Sequence, residues 1–225
     1  MGMTAPPPDR HLPPVADELG RLRVIVADMG ERIDQAIVRA LIGLIRRDVE
    51  SCREVVAGDA AINALHRDVR ERCVGVLARG LLDSELRETM SLLDISSELE
   101  RMGDHCVSIA KIAQELADLP DRRSSVDLSV LGRTCREQVR DILTAVVAGD
   151  VCEGRRVAAC DDRVDGIYRR VVDDLIRMMT SDVQTAYRSI KLVLIARHLE
   201  RIADRVTNIA EDLVFLRTGV MEELG

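Results

Sequence analysis

LERMGDH (residues 99–105) and LERIADR (residues 199–205) write the same Glu-Arg-x-x-Asp pattern twice, one hundred positions apart. Two short matches can arise by chance in a helical chain, so the repeat needs support elsewhere. VVAGD occurs verbatim at 55–59 and 146–150, an offset of 91 that nothing else extends. An offset of 102 does extend. It sets DVESCREVVAGDAAIN (48–63) on DVCEGRRVAACDDRVD (150–165), with Asp48 on Asp150, Arg53 on Arg155, Val55 on Val157 and Asp59 on Asp161, and it carries Gly30 onto Gly132. An offset of 100 then runs through ISSELERMGDHCVSIA and IARHLERIADRVTNIA. The chain is a tandem duplication, and the opening pattern lies in the last helix of each copy.

Proline placement outlines the copies. After Pro14 the sole proline is Pro120, inside DLPDRRSS, and both flanks are rich in Ala, Leu, Arg, Glu and Asp. Apolar residues recur at three and four, as in Leu92, Ile95, Leu99, Met102, Cys106, Ile109, Ala113 and Leu116, with no sustained alternation. Gly149-Asp150 with Glu153 reads as a helix stop followed by an N-cap, Asp83-Ser84 as a helix start, and Ser181 with Gln184 as the start of the final helix. The fold expected is all-α, a tandem duplication of a three-helix bundle with six long helices near 15–46, 49–79, 84–117, 127–148, 151–179 and 182–217. A Pro-rich flexible N-terminus (1–14), a first bundle (15–117), a linker (118–126) and a second bundle (127–218) divide the chain.

Composition excludes several functions. Of 225 residues, 47% are hydrophobic but only 1% aromatic, so the core is aliphatic and there is no stacking platform for bases; a net charge of −7 opposes phosphate-backbone binding. Nucleic acid is not an expected partner. No apolar run approaches the roughly 18 residues of a membrane span, and no targeting pattern opens the chain, so a cytoplasmic protein without membrane insertion is expected. The six cysteines form no Cys-x-x-Cys pair and read as packed, reduced thiols, Cys152 and Cys160 included. Met178 and Met179 read as core filler, and His66, His105 and His198 as surface or boundary residues.

The carboxylates carry the chemistry. Glu100 with Asp104, and Glu200 with Asp204, project from adjacent turns of one helix. At about 100° per residue, Glu200, Asp204, Asn208 and Glu211 fill one arc away from the core stripe of Leu199, Ile202, Val206 and Ile209. The second helix of each copy offers facing oxygens: Asp161 with Asp165, and Asp59 with Asn63. Hard or borderline cations (Mg²⁺, Mn²⁺, Fe or Zn²⁺) take such donors across neighbouring helices. The same spacing also reads as a solvated face, with Arg101 and Arg201 placed to pair with Asp104 and Asp204. Where the second copy has Asn208 and Glu211, the first has Ser108 and Lys111, so the second copy is expected to bind a cation more tightly.

From about Val15 to Phe215 the chain resembles the PhoU family, phosphate-signalling proteins of two tandem three-helix bundles. The resemblance rests on ELERMGDH (98–105), HLERIADRVTNIAE (198–211), the pairs Met29-Gly30 and Leu131-Gly132, and SELR (84–87). It implies a Glu/Asp-x-x-x-Asp metal motif at Glu100, Asp104, Glu200 and Asp204, with a looser carry-over to Asp59, Asp161 and Asp165. The family's frequent His after the Asp is kept as His105 but is Arg205 in the second copy. The resemblance implies a non-enzymatic negative regulator of phosphate transport, with a sensor histidine kinase and the phosphate transporter's ATPase subunit as partners, and leaves a homodimer open. No Gly-rich phosphate loop or nucleophile-base pair is visible. The alternatives are a metal-dependent bundle enzyme, for which the Glu-x-x-His spacing of di-iron sites is missing, and a structural helical scaffold without metal.

Overall fold

The computed structural model describes residues 13–119, 128–181 and 185–224. Seven helical segments follow one another: α1 (Val15–Arg46), α2 (Val49–Leu77), α3 (Asp83–Ala117), α4 (Ser129–Ala148), α5 (Val151–Ala158), α6 (Asp161–Ser181) and α7 (Ala186–Thr218). Among the described residues there is no strand. The expected N-terminal stretch and linker fall mostly outside the described residues. The helix ends follow from local chemistry and repeat between the copies. The Asp48 carboxylate accepts the backbone N–H groups of Glu50 and Ser51 at the start of α2, and Asp150 accepts that of Glu153 at the start of α5. Glu85 instead reaches back to the Leu82 N–H (2.9 Å) to open α3.

Two expectations need correction. The fifth bundle helix is broken into α5 and α6 at Ala159–Cys160, where the Cys160 N–H turns back to the Val157 carbonyl and two acids, Asp161 and Asp162, open the new helix. Position 59 of the first copy, the counterpart of Asp161, lies inside an unbroken α2. Ser181 does not open the last helix: it ends α6, and α7 begins at Ala186 after Thr185. Gln184 lies outside the described residues.

Every member of the apolar stripe from Leu92 to Leu116 is buried, and one core runs through both copies. The copies meet isologously. Gly30 of α1 lies under Leu143 of α4, while Gly132 of α4 lies under Leu41 of α1; a Cβ on either glycine would come within 2.7 and 2.4 Å of a leucine methyl. Leu143 stands 102 positions after Leu41, as Gly132 does after Gly30, so each contact is the other's mate about an internal two-fold. Asp34 and Arg136, also 102 apart, sit across the axis in a bidentate pair at 2.7 and 2.9 Å. The third helices of the two copies, α3 and α7, also pack on each other.

The thiols divide. Cys52, Cys73, Cys106 and Cys135 are buried, and burial pushes the Cys106 thiol up to about 12. Cys152 is exposed in the first turn of α5 and Cys160 is half-buried, so neither is packed as expected. Cys52 fills a tight place: a Cβ on Gly43 of α1 would stand 2.2 Å from its sulfur and 3.3 Å from the Asp48 carbonyl. Gly43→Ala is therefore expected to lose about 1–2 kcal/mol, because overpacking outweighs the better helix propensity of alanine. Cys52→Ala on that background should restore most of the loss. Urea unfolding of wild type and the two variants checks it, and a Gly43→Ala protein as stable as wild type would count against the close contact.

Candidate metal centre

The structure brings the predicted carboxylates together as two clusters, one per copy. In the first, Asp59 of α2 faces α3 beside Gly103, whose Cβ position is 3.6 Å from Asp59 Oδ1, so the acid meets the turn that carries Glu100 and Asp104. The Asn63 amide donates to Asp59 Oδ2 (2.9 Å), while Asp59 Oδ1 and Asn63 Oδ1 are buried with no partner. Burial, then the Asp104 charge, raises the pKa of Asp59; Asn63 and Lys111 oppose the rise. Glu100 is raised by burial, then by Asp104, against His66 and Arg101. His66 itself is half-buried, its Nδ1 3.2 Å from the Ser96 hydroxyl.

In the second cluster Asp161 and Asp165 of α6 face Glu200 and Asp204 of α7. Burial is the main cause of the raised pKa of Asp161, followed by Asp165 and Asp204. Glu200 lies deeper than the helical wheel suggests, at 8% exposure, and its pKa is raised by burial and Asp204 against Arg197 and Arg201. Here guanidinium groups stand among the acids. Arg197 bonds Glu200, Arg201 Nη1 bonds Asp204 (2.9 Å) with its Nε 3.8 Å from Glu200, and Arg169 bonds Asp165 (2.9 Å). A cleft of about 320 Å³ opens beside them, lined by Asp161, Asp204, Thr207, Asn208, Glu211 and Glu223.

Asn208 and Glu211 have other partners. The Asn208 amide donates to Glu98 of α3 (3.1 Å), and Glu211 accepts the backbone N–H of Leu224 (2.9 Å). Of the two arginines expected to pair with the third-helix aspartates, Arg201 does; Arg101 turns back to Glu98 (2.7 Å). Sequence reasoning missed Arg169 and Arg197, although each stands one helical turn from its acid, and it missed the tail from Val220 to Leu224 that reaches the cleft.

Between the clusters the α3–α7 seam holds two related contacts. Arg205 donates to Glu98 (3.2 Å), and His105 and His198 approach Nδ1 to Nδ1 at 3.2 Å. Position 198 is the counterpart of 98 and 205 of 105, so these contacts are mates about the internal two-fold, one charged and one imidazole. The short approach requires one Nδ1 to carry a proton and the other to present its lone pair. Burial lowers the pKa of both rings, and His198 and Arg205 lower that of His105 further.

As the side chains are placed, no group of three or more His, Cys, Asp or Glu among the described residues is close enough to hold a metal ion. The donor chemistry of the first cluster nonetheless fits a hard cation: carboxylates from two helices, and two buried side-chain oxygens without partners. No described helix is long and apolar enough to cross a membrane.

Fold and site together define a duplicated helical-bundle protein that holds one acidic cluster in each copy. A family model described as the PhoU domain matches the chain twice, at residues 26–113 and 128–213. The chain belongs to the PhoU family. It is 33% identical over 204 residues to the phosphate-specific transport system accessory protein PhoU homolog of Zymomonas mobilis, covering 90% of this chain and 86% of that one. The PhoU protein of Edwardsiella tarda is 32% identical over 203 residues, covering 90% and 84%. The crystal structure of PhoU from Pseudomonas aeruginosa superposes with a TM-score of 0.88 at 29% identity, over 92% of this chain and all of that one. PhoU from Streptococcus pneumoniae gives 0.85 at 28% identity, over 94% and 100%.

Proposed function

We propose that this chain is a non-enzymatic accessory protein of a phosphate transport system, one that represses the phosphate-starvation response when phosphate is plentiful. It does so by linking the transporter's ATPase subunit to a sensor histidine kinase. The observation that carries the reading is the paired acidic clusters, each built across the second and third helices of a duplicated bundle shared with phosphate-specific transport system accessory proteins.

The clusters are the cation sites of this reading. Asp59, Glu100 and Asp104, with Asn63, would hold a divalent or transition cation in the first copy, and Asp161, Asp165, Glu200 and Asp204 in the second. A bound cation would supply positive charge that ties α2 to α3, or α6 to α7. The raised pKa values of Asp59, Glu100, Asp161 and Glu200 share one main cause, partial desolvation, with the charge of neighbouring carboxylates adding to it.

Deletion of the gene is expected to switch on phosphate-uptake genes in phosphate-rich medium, and the wild-type chain supplied in trans to silence them again. A transcriptional reporter reads both steps. A reporter that stays silent in the deletion strain would overturn the regulatory reading.

A further inference from the structure

The two clusters carry similar acids but differ in what neutralises them. In the second, Asp165, Glu200 and Asp204 each meet a guanidinium group at bonding distance, from Arg169, Arg197 and Arg201 in turn, and Asp161 stands beside them without one. In the first, no ion pair reaches Asp59, Glu100 or Asp104 among the described residues; the exposed Lys111 bears on Asp59 and Arg101 on Glu100 through space only. Guanidinium does not lose its proton in a protein, so a cation entering the second cluster must displace those arginines rather than deprotonate them.

The opposite turning of Arg101 and Arg201 traces to one residue. Arg101 and Arg201 are counterparts, and each has a carboxylate three positions ahead, Asp104 or Asp204. Three positions behind, the first copy has Glu98 and the second has His198. Glu98 draws Arg101 backward and away from the first cluster. His198 offers no carboxylate, so Arg201 turns forward onto Asp204. Two further differences act the same way. Ser97 stands at the counterpart of Arg197, and Asn63 at that of Asp165, so the first copy has no arginine three positions before Glu100 and no acid at position 63 for an arginine of α2 to bond.

We propose that the second cluster is closed to cations by its own arginines, Arg197 and Arg201 above all, while the first is open. This rests on the cation reading given above, and it reverses the ranking that Asn208 and Glu211 suggest from sequence, since those two side chains are engaged by Glu98 and the tail.

The test is Mn²⁺ titration of the full chain by calorimetry, with thermal unfolding in parallel. Wild type is expected to take up Mn²⁺ in one set of sites, weakened at least tenfold by Asp59→Asn with Asp104→Asn. Arg197→Gln with Arg201→Gln is expected to gain a second set and a larger Mn²⁺-dependent rise in unfolding temperature, both removed by adding Asp204→Asn. If the double arginine variant does not fold, His198→Glu serves instead: it keeps every arginine and offers Arg201 the backward partner that Arg101 has, and it should gain Mn²⁺ uptake too. An arginine variant that folds and gains no Mn²⁺, or a gain indifferent to Asp204→Asn, overturns the closure. Wild type that takes up no Mn²⁺ overturns the cation reading instead, so the two failures are read separately.

Discussion

Glu98→Ala is expected to destabilise the protein by about 3 kcal/mol at pH 6, the loss typical of one partner removed from a buried, hydrogen-bonded ion pair. Glu98 is 8% exposed and accepts from three donors: Arg101 at 2.7 Å, Arg205 at 3.2 Å and Asn208 at 3.1 Å. Two of these belong to α7, so the carboxylate ties the third helix of one copy to that of the other. Its removal leaves Arg205, whose Nε already lacks a partner, without the carboxylate that its Nη1 bonds. Glu98→Gln keeps one acceptor and should cost less than half as much. The pH matters because Glu98 also repels the nearby Asp212, and relief of that repulsion would mask part of the loss at higher pH. Chemical denaturation of the three proteins at pH 6 decides it, and a loss below about 1 kcal/mol for Glu98→Ala would show the seam to be held by its apolar contacts alone.

Much of this architecture is legible without coordinates because it depends on near neighbours. The aliphatic stripe of α3, the caps at Asp48 and Asp150 and the left-handed Gly149 are set by residues within one or two turns of each other. The repeat extends that reading, since Asp59 and Asp161 come to face the third helices by the same placement in each copy. What escaped was decided at longer range. Val157, Ala158 and Ala159 give little local cause to stop, yet the helix breaks after them. A helical wheel gives the direction of Glu200 but not that α6 covers it. Asn208 points along the predicted arc, and only the arrival of Glu98 from the other copy takes up its amide. The turning of Arg101 and Arg201 lies between these cases: Glu98 against His198 at three positions back was a readable signal, visible once both sides of each arginine are compared.

Asp212 had no signal at all. It lies on α7 among the acids Asp94, Glu98 and Glu211, and burial, then those charges, pushes its carboxyl up to about 8. The counterparts of Asp94 and Asp212 in the repeat are Leu194 and Ile112, so the acidic contact belongs to one side of the internal two-fold only. An ordinary aspartate in the unfolded chain titrates near 3.9. The folded state therefore binds the proton more tightly, and between about pH 4 and pH 8 it holds more protons than the unfolded chain. Stability from this group is fully present below pH 4 and is lost as pH rises through the folded value. Asp212→Asn keeps the shape and the neutral character of the protonated acid but cannot ionise. It is expected to leave stability near pH 4.5 almost unchanged and to raise it at pH 8 by on the order of 2 kcal/mol, less than the full shift would give because the site is only partly enclosed. Asp59, Asp94, Glu100, Asp161 and Glu200 are shifted in the same direction, so wild type and variant should both weaken with rising pH. The contribution of Asp212 is the growing gap between their two curves, measured by urea unfolding from pH 4.5 to 8. Curves that stay parallel would mean that Asp212 is ionised in the folded protein at neutral pH, and that α3 and α7 tolerate four carboxylates at their seam without a proton.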